Sequence, residues 1–462
     1  MDALSLSQLQ AENRYLREQL AQRDRLIEQL QQTIRDLQKR LEEAERSAKR
    51  QAAPFAKGDP KKRPRKPGRK QGEKHGQHGH REPPPQVDET LEATLPDQCP
   101  DCGGDVVEDH CDAQYQTEIP RRPIHRKFNI HCGHCQQCGK RLRGRHRLQT
   151  SNATGAAQSQ LGPDAQAAIV YLNKHAGMSH GKIADAFAKV FGIALTRGAC
   201  AQTVLRAGRR LEPVYEQLKE RLQSSDYLTP DETGWRLGGR PAWLHGWAGD
   251  DGATVYVIDT QRSADVLEKV IGIDWSGTMT HDGFSSYERF EDAAHQQCVD
   301  HALRRARGLL DKQRGAAQLL PRQIIDLFTK ALRLRDRFNA ANADEDRRGR
   351  AYEDYTERLR RLTERPRCNE QNARFAKHLY THLNSWFLFL VDPDLPATNH
   401  RAEQALKTPI VNRKVWGGNR TTAGGKAQAI TCSVLATCKN LTVDAFSYIS
   451  DAFRGALGKV FT

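Results

Sequence analysis

The 462-residue sequence contains no apolar segment near the ~18 residues that a helix needs to span a bilayer. Its densest apolar run, Trp386–Val391, is six residues long. The N-terminus opens directly into a charged periodic stretch, so no signal peptide is expected. Aromatic residues make up only 7% of the chain and hydrophobic residues 37%, so extended polar segments are expected. These shortages predict a cytoplasmic protein with no membrane partner.

A disulfide framework is also not indicated, because the eleven cysteines are odd in number and clustered. CPDCGG supplies Cys99 and Cys102, and HCGHCQQCGK supplies Cys132, Cys135 and Cys138. Two Cys-x-x-Cys pairs can complete a tetrahedral Zn²⁺ site. We assign Cys99, Cys102, Cys135 and Cys138 as ligands, because a glycine and a base follow the last pair. The spacing leaves open whether Cys132 replaces one of them.

These pairs predict a zinc ribbon over residues 96–150. Gln114–Ile119 and Arg126–Ile130 alternate like strands between the two pairs. The segment that follows is strongly basic, and we expect Arg143 and Arg145 to contact DNA phosphates.

The full chain has an excess of positive charge, with a net charge of +15. Lys57–Arg81 alone holds ten Lys and Arg against two acids, which predicts a disordered basic linker over residues 51–95. Such a linker binds phosphates without reading sequence, so DNA is the expected partner and the nucleoid the expected location. The DNA-binding residues assigned here are Lys61, Lys62, Arg63 and Arg65.

Residues 1–50 carry a heptad repeat that no proline or glycine interrupts. The a positions are Leu6, Asn13, Leu20, Ile27, Ile34, Leu41 and Ala48, and the d positions are Leu9, Leu16, Arg23, Leu30, Leu37 and Ala44. Only Asn13 and Arg23 break the apolar seam. The repeat predicts a coiled coil that makes the protein a homodimer.

Residues 151–222 read as three helices: Pro163–His175, Ser179–Phe191 and Thr196–Leu222. Their spacing suggests a helix-turn-helix-like DNA-binding domain. A helical connector without base contacts is the alternative.

Three acids carry the expected chemistry: Asp231 in TPDETGW, Asp282 in THDGFSSY and Glu403 in NHRAEQALK. Strands are predicted around Asp231, at Ala242–Ala248, at Thr254–Asp259 and at Gly277–His281, with a helix at Ala264–Ile271. This order places Asp231 and Asp282 on neighbouring strands, and Glu403 on a helix that faces them. Glu232 would point to the opposite face of its strand.

Three close carboxylates repel one another unless cations neutralise them. Mg²⁺, or Mn²⁺ in its place, prefers such oxygen ligands together with substrate phosphates. Two ions then stabilise both the attacking and the leaving oxygen of a phosphoryl displacement. The acids therefore predict DNA cutting and joining.

The three segments, with Arg401, Lys407, Arg413 and Lys414 around the last acid, resemble the catalytic core of bacterial DDE transposases of the insertion sequence 66 family. Lys407, Arg413 and Lys414 are expected to bind DNA. The resemblance implies an RNase H-like fold, in two parts at residues 223–301 and 397–462, with a helical insertion at residues 302–396. Cys298 and His301 match a Cys-x-x-His of that family, and their role stays open.

The expected protein is a multidomain α+β transposase that joins element ends to target DNA, with accessory proteins as further candidate partners. One alternative is a zinc-dependent DNA-binding regulator with an inactive RNase H-like domain. Another is a nuclease that cuts without joining.

Overall fold

The structure is a computed structural model that describes residues 6–48, 83–107, 109–117, 123–154 and 160–456. The chain divides into two compact units, Met1–Arg122 and Pro123–Thr462. Among the described residues, no helix is both long and apolar enough to cross a membrane.

The first unit contains a long helix, α1 (Leu6–Ala48), where the heptad repeat predicts one. The helix is confirmed, and the coiled-coil partner stays a prediction. In the single chain the predicted seam is uncovered, since its described apolar members are 52–58% exposed: Leu16, Leu20, Ile27, Leu30, Ile34 and Leu37. Such a row of apolar side chains is the surface that a second helix covers in a coiled coil.

Most of the predicted basic linker cannot be compared with the structure. Residues 51–82, including Lys61, Lys62, Arg63 and Arg65, lie outside the described residues. Residues 83–95 form neither a helix nor a strand, in agreement with the linker prediction for that part.

The strands predicted inside the zinc ribbon are wrong in position. Residues 126–130 and the described part of 114–119 form no strand. A short antiparallel hairpin in the second unit, β1 (Cys132–His134) and β2 (Arg141–Arg143), brackets the second Cys-x-x-Cys instead. The tight turn between β1 and β2 fixes the register of their pairing. The predicted strands showed alternating apolar and polar residues but had no such turn between them.

The second unit continues with a long series of elements. In chain order they are α2 (Pro163–Lys174), α3 (His180–Phe191), α4 (Arg197–Gln223), β3 (Tyr227–Leu237), β4 (Arg240–Gly249), β5 (Thr254–Asp259), α5 (Ala264–Ile271), β6 (Thr278–His281), β7 (Ala294–Gln297), α6 (Val299–Lys312), α7 (Leu319–Ala340), α8 (Glu345–Thr363), α9 (Glu370–Thr381), α10 (Leu388–Val391), α11 (His400–Trp416), α12 (Thr422–Asn440) and α13 (Ala445–Arg454).

A five-stranded mixed sheet lies at the centre, in the order β5-β4-β3-β6-β7. Strands β3, β4 and β5 are antiparallel, while β6 and β7 run parallel to β3. The predicted strands around Asp231 and before Asp282 are therefore neighbours, as expected.

The two faces of the sheet have separate apolar cores. On one face, Leu228, Trp247 and Met279 pack with residues of α4 and α5. On the other face, Trp235 and Leu244 pack with Leu406 of α11. Because side chains alternate along β3, Asp231 projects to the face of Trp235, where α11 lies.

Helices α2, α3 and α4 lie where they are predicted. Ser179 and Thr196 cap α3 and α4, accepting backbone N–H bonds from Lys182 at 3.4 Å and Ala199 at 3.0 Å. The first half of α4 packs on α2 and α3, and its second half lies on the sheet. This one helix therefore belongs to both the predicted helical domain and the catalytic core.

The sequence predicts two C-terminal helices, Gln428–Lys439 and Val443–Leu457, that pack on the sheet. Helix α12 does so, along β5 and α4. Helix α13 joins the apolar core of the sheet through Tyr448 and Ala452, but it packs mainly on α2 and α4, with Ile449 and Phe453 against Ala167 and Val170. The second half of α4, together with α5 and α12, already covers the sheet face next to it.

The helical insertion is confirmed as α6 to α10, with an apolar core of its own. It starts at Val299, three residues earlier than predicted. Its two ends are joined to each other, because Val299 N–H donates to Ala397 O at 3.0 Å, and its last part is held to β3, because the Tyr227 hydroxyl donates to Asp392 at 2.7 Å.

Candidate active site

Asp231 lies in the middle of β3, directly opposite Gly246 of β4. One of its carboxylate oxygens accepts the N–H of Glu232 at 2.9 Å. An added Cβ at Gly246 would lie 3.0 Å from Leu406, so the absent side chain allows α11 to approach the strand beside Asp231.

Asp282 follows the last residue of β6 and is exposed. Strands β3 and β6 pair Tyr227 with Thr278 in parallel register, and each acid lies four residues beyond its member of this pair. Asp231 and Asp282 are therefore level with each other on adjacent strands. The Asp282 carboxylate also accepts the N–H of Phe284 at 3.1 Å.

A chain of two hydrogen-bonded histidines supports the turn after Asp282. His281 Nδ1 accepts the Gly283 N–H at 3.2 Å, so its Nε2 carries the proton and donates to His295 Nδ1 at 3.1 Å. His295 Nε2 then donates to Phe290 O at 3.1 Å. Burial lowers the pKa of His281 to about 3, which keeps this imidazole uncharged.

Glu403 lies in the first turn of α11. Ala402 and Leu406 on this helix are buried towards the sheet, as predicted, and Glu403 stays partly exposed between them. Its Oε1 accepts a hydrogen bond from Arg304 of the insertion at 3.2 Å, and His301 Nε2 lies 3.8 Å from the same oxygen.

The three acids are close enough to affect one another electrostatically. The pKa of Asp231 is raised to about 7, chiefly by burial and less by the charges of Glu232, Asp282 and Glu403, while the Glu232 N–H acts to lower it. Among the described residues, no three His, Cys, Asp or Glu side chains are gathered closely enough to hold one metal ion.

Comparison with known proteins is consistent with this site. The family model described as "Transposase IS66 family" matches residues 158–427, more than half of the chain. The chain belongs to the IS66 family of transposases. It is also 22% identical over 399 residues to "Uncharacterized protein y4hP" of Sinorhizobium fredii, covering 77% of this chain and 70% of that protein. A transposase acts on DNA, so DNA is a partner of this protein.

The matched region of this transposase contains all three predicted acids. It also contains Glu232, whose buried side chain accepts the Tyr287 hydroxyl at 2.8 Å and two bonds from Arg262 at 2.6 and 2.9 Å. Arg262 in turn lies over Trp243 and Phe284. Glu232 therefore ties β3 to the segment after Asp282, on the opposite face from Asp231.

Cys298 is buried at the start of α6 and joins the insertion to α11. Its Sγ donates to Asn399 Oδ1 at 3.1 Å and accepts the Asn399 N–H at 3.4 Å. This pairing places the start of α6 beside the start of the Glu403 helix. His301, one turn along α6, consequently lies near Glu403.

The predicted DNA-binding residues differ in their availability. Lys407 and Lys414 are exposed on α11, and Arg143 and Arg145 are exposed at and after β2. Arg413 is used within the protein instead, because its guanidinium donates to Gly234 O and to Thr233 at 3.2 Å.

The two Cys-x-x-Cys turns of the transposase have the same backbone geometry. In each, the first cysteine donates its N–H to the carbonyl five residues later at 2.9 Å. Its own carbonyl accepts the N–H of a glycine four residues later at 2.8 Å. These glycines, Gly103 and Gly139, have φ values of 73° and 71°, which glycine adopts without strain.

This geometry stabilises the thiolate form of the first cysteine in each turn. Backbone N–H groups, chiefly those of Asp101 and Cys138, hold the pKa values of Cys99 and Cys135 below their usual range. Cys132 lies outside the second turn, in β1, with its Sγ 3.7 Å from Ile130 O.

Sequence reasoning missed Tyr287, Arg262 and Arg304 as neighbours of the acids. Tyr287 ends the THDGFSSY segment, so the sequence placed it near Asp282 but did not indicate its hydrogen bond to Glu232. Arg304 gave no signal, because it is one of many arginines in a charged helix 99 residues before Glu403.

Proposed function

We propose that this transposase is catalytically active, cutting the ends of an insertion sequence and joining them to target DNA at Asp231, Asp282 and Glu403. The proposal is carried by one observation: Asp231 and Asp282 lie level with each other on adjacent strands, and the helix that carries Glu403 packs on β3 and β4. The influence of the Asp282 and Glu403 charges on the pKa of Asp231 agrees with this placement. The mixed sheet with its helical insertion supports the RNase H-like fold that the family resemblance implies.

The three carboxylates would hold two Mg²⁺ or Mn²⁺ ions. When bound, these ions would neutralise the acids and polarise the phosphate oxygens of the substrate. The protein itself supplies the positions of the acids. Strand β3 and the Glu232 N–H orient Asp231, the histidine chain behind Gly283 orients the turn after Asp282, and the packing of α11 on β4 sets the depth of Glu403.

In the first step, the oxygen of a water bonds to phosphorus at the element end, and the 3′ oxygen leaves with a proton. In the second step, that 3′-hydroxyl bonds to a phosphorus of the target and releases the target's 3′-hydroxyl. Each step exchanges one phosphoester oxygen for another, so the same acids serve both.

The other parts of the chain would assemble and hold the DNA. Cys99, Cys102, Cys135 and Cys138 would bind a structural Zn²⁺, which the matched turns favour. With α2 to α4, this zinc ribbon would recognise the element ends. The exposed seam of α1 would pair two subunits, so that both ends are cut together.

The proposal is tested by Asp282→Asn on a duplex carrying the inverted repeat that flanks the gene. Cleavage and strand transfer in Mg²⁺ should fall at least about 10³-fold, while DNA binding stays unchanged. The control is Asp292→Asn, an exposed acid before β7, which should cut normally. Cutting by Asp282→Asn at the normal rate would remove the proposal.

The same assay separates the two alternatives. A DNA-binding regulator would bind the duplex but leave it uncut in every variant. A nuclease would cut it without joining the freed end to a second duplex.

A further inference from the structure

A cavity of about 410 Å³ opens beside Asp282, between the sheet and the helical insertion. Helix α6 supplies one wall and α9 another, so the insertion directly borders the predicted active site. Its lining is Asp282, His301, Ala302, Arg304, Arg305, Phe375, His378 and Trp386. We call this cavity the insertion cleft.

The charge of the insertion cleft is opposite to that of the acid cluster beside it. Two guanidinium groups, Arg304 and Arg305, face the single carboxylate of Asp282. Arg304 already donates to Glu403 at 3.2 Å. Arg305 lies over the Phe375 ring at 4.9 Å and has no carboxylate within ion-pair distance among the described residues. One positive charge in the cleft thus has no carboxylate partner in the part of the chain that the structure describes.

The two imidazoles of the cleft, His301 and His378, add hydrogen-bonding groups. His378 packs against Gly283, next to Asp282, and burial lowers its pKa to about 4. It is therefore neutral at physiological pH. The Nδ1 atom of His301 is buried and has no hydrogen-bond partner among the described groups. The cleft thus offers polar atoms and an unpaired guanidinium within reach of the acids.

We propose that the insertion cleft binds one phosphodiester of the DNA strand next to the bond that is cut, with Arg305 as its principal ligand and Arg304 as its second. The proposal rests on the proposed function, because it takes the neighbouring acids as the place of cutting. A guanidinium matches a phosphate with two parallel N–H bonds, and Asp282 is the one carboxylate in the lining of the cleft. Arg304 would then be shared between Glu403 and the DNA, linking the insertion to the substrate.

The test removes the charge from one partner at a time. Methylphosphonate, a neutral replacement, is placed singly at each phosphate around the cut in the inverted-repeat duplex. Binding is measured by fluorescence anisotropy without Mg²⁺, so cutting does not enter. One substituted position should weaken binding by wild-type protein about tenfold. Arg305→Gln should bind the unmodified duplex about tenfold more weakly and should show no further loss at that position.

Two further measurements keep the result specific. Arg307→Gln, on the same helix but outside the cleft lining, should retain the full methylphosphonate effect. Arg305→Gln should also lower the slope of log K against log salt by about 0.9, the value for one phosphate contact. If Arg305→Gln fails to fold by circular dichroism, Arg304→Gln takes its place with a smaller loss expected at the same position.

The inference is overturned if, at every methylphosphonate position, the loss of DNA affinity in Arg305→Gln equals the product of the two separate losses. The arginine and the phosphate would then act independently of each other. That result would leave the proposed function intact, since wild-type cutting is measured separately. Conversely, a wild-type protein that shows the coupled position but never cuts would refute the proposed function while the phosphate contact stands.

Discussion

Gly246 and Leu406 define how deeply the Glu403 helix sits on the sheet. Gly246 is the register partner of Asp231, and the Leu406 methyl group occupies the space above it. The distance between the strand acid and the helix acid is therefore set by the absence of a side chain on a third element.

Gly246→Ala should destabilise the protein by about 1–3 kcal/mol, because the added methyl would overlap Leu406 and the Tyr256 ring. It should also lower DNA cutting by lifting Glu403 away from Asp231. Urea unfolding measures the first effect and the cleavage assay the second. Gly349→Ala is the matched control, since its Cβ would meet nothing within 4 Å inside α8. An equally stable, equally active Gly246→Ala would contradict this account of the helix depth.

Lys174 predicts a pH dependence of stability. It is buried between α2, α11 and α12, where it contacts Gln428 and lies 4.7 Å from the Trp416 ring. Burial lowers its pKa to about 8, below the 10.5 of an exposed lysine. The unfolded chain then binds more protons above pH 8, so this residue makes the folded state more stable as pH rises from about 8 towards 10.5.

The measurement compares Lys174→Met with wild type at pH 7 and pH 9. Wild type should gain about 1 kcal/mol of unfolding free energy relative to the variant over this range. The upper limit is chosen because burial raises the pKa of the neighbouring Cys432 thiol to about 11, which acts in the opposite direction above pH 9. Parallel pH profiles of the two proteins would rule out the buried charge.

The cysteine turns predict which thiols hold zinc. Cys138→Ser should release the ion, because it removes one member of a matched turn. Cys132→Ser should keep one zinc per chain, because Cys132 lies in β1 outside the turn. Zinc content of the purified variants, by atomic emission, decides between them. Loss of zinc from Cys132→Ser alone would reassign the second pair.

The α1 seam predicts an oligomeric state. Changing Leu20 and Ile27 together to Lys should convert a dimer to a monomer in sedimentation equilibrium. Leu26→Lys provides the control, because Leu26 is 55% exposed like the seam residues but lies at neither an a nor a d position. A dimer that survives the double change would place the interface elsewhere.

Local pattern predicted much of the sheet. β5 and α5 match their predicted bounds, since a short run of β-branched and aromatic residues in β5 and a continuous apolar face in α5 leave few alternatives. The pairing of Asp231 with Asp282 followed from strand order alone. The insertion cleft could not be predicted, because the contact between Arg304 and Glu403 depends on how a separate helical core docks on the sheet. The strands predicted inside the zinc ribbon were wrong, because alternation of apolar and polar residues without a turn does not determine which segment a strand pairs with.

Helix α4 runs for 27 residues, about 40 Å, and continues through Pro213, which removes one backbone hydrogen bond. Its early turns carry exposed arginines beside α2 and α3, and its late turns lie on β4 and β5. DNA bound along the early turns would consequently lie at a constant distance from Asp231, Asp282 and Glu403. The protein would then cut DNA at a fixed number of base pairs from the segment that it binds, independently of the sequence between them.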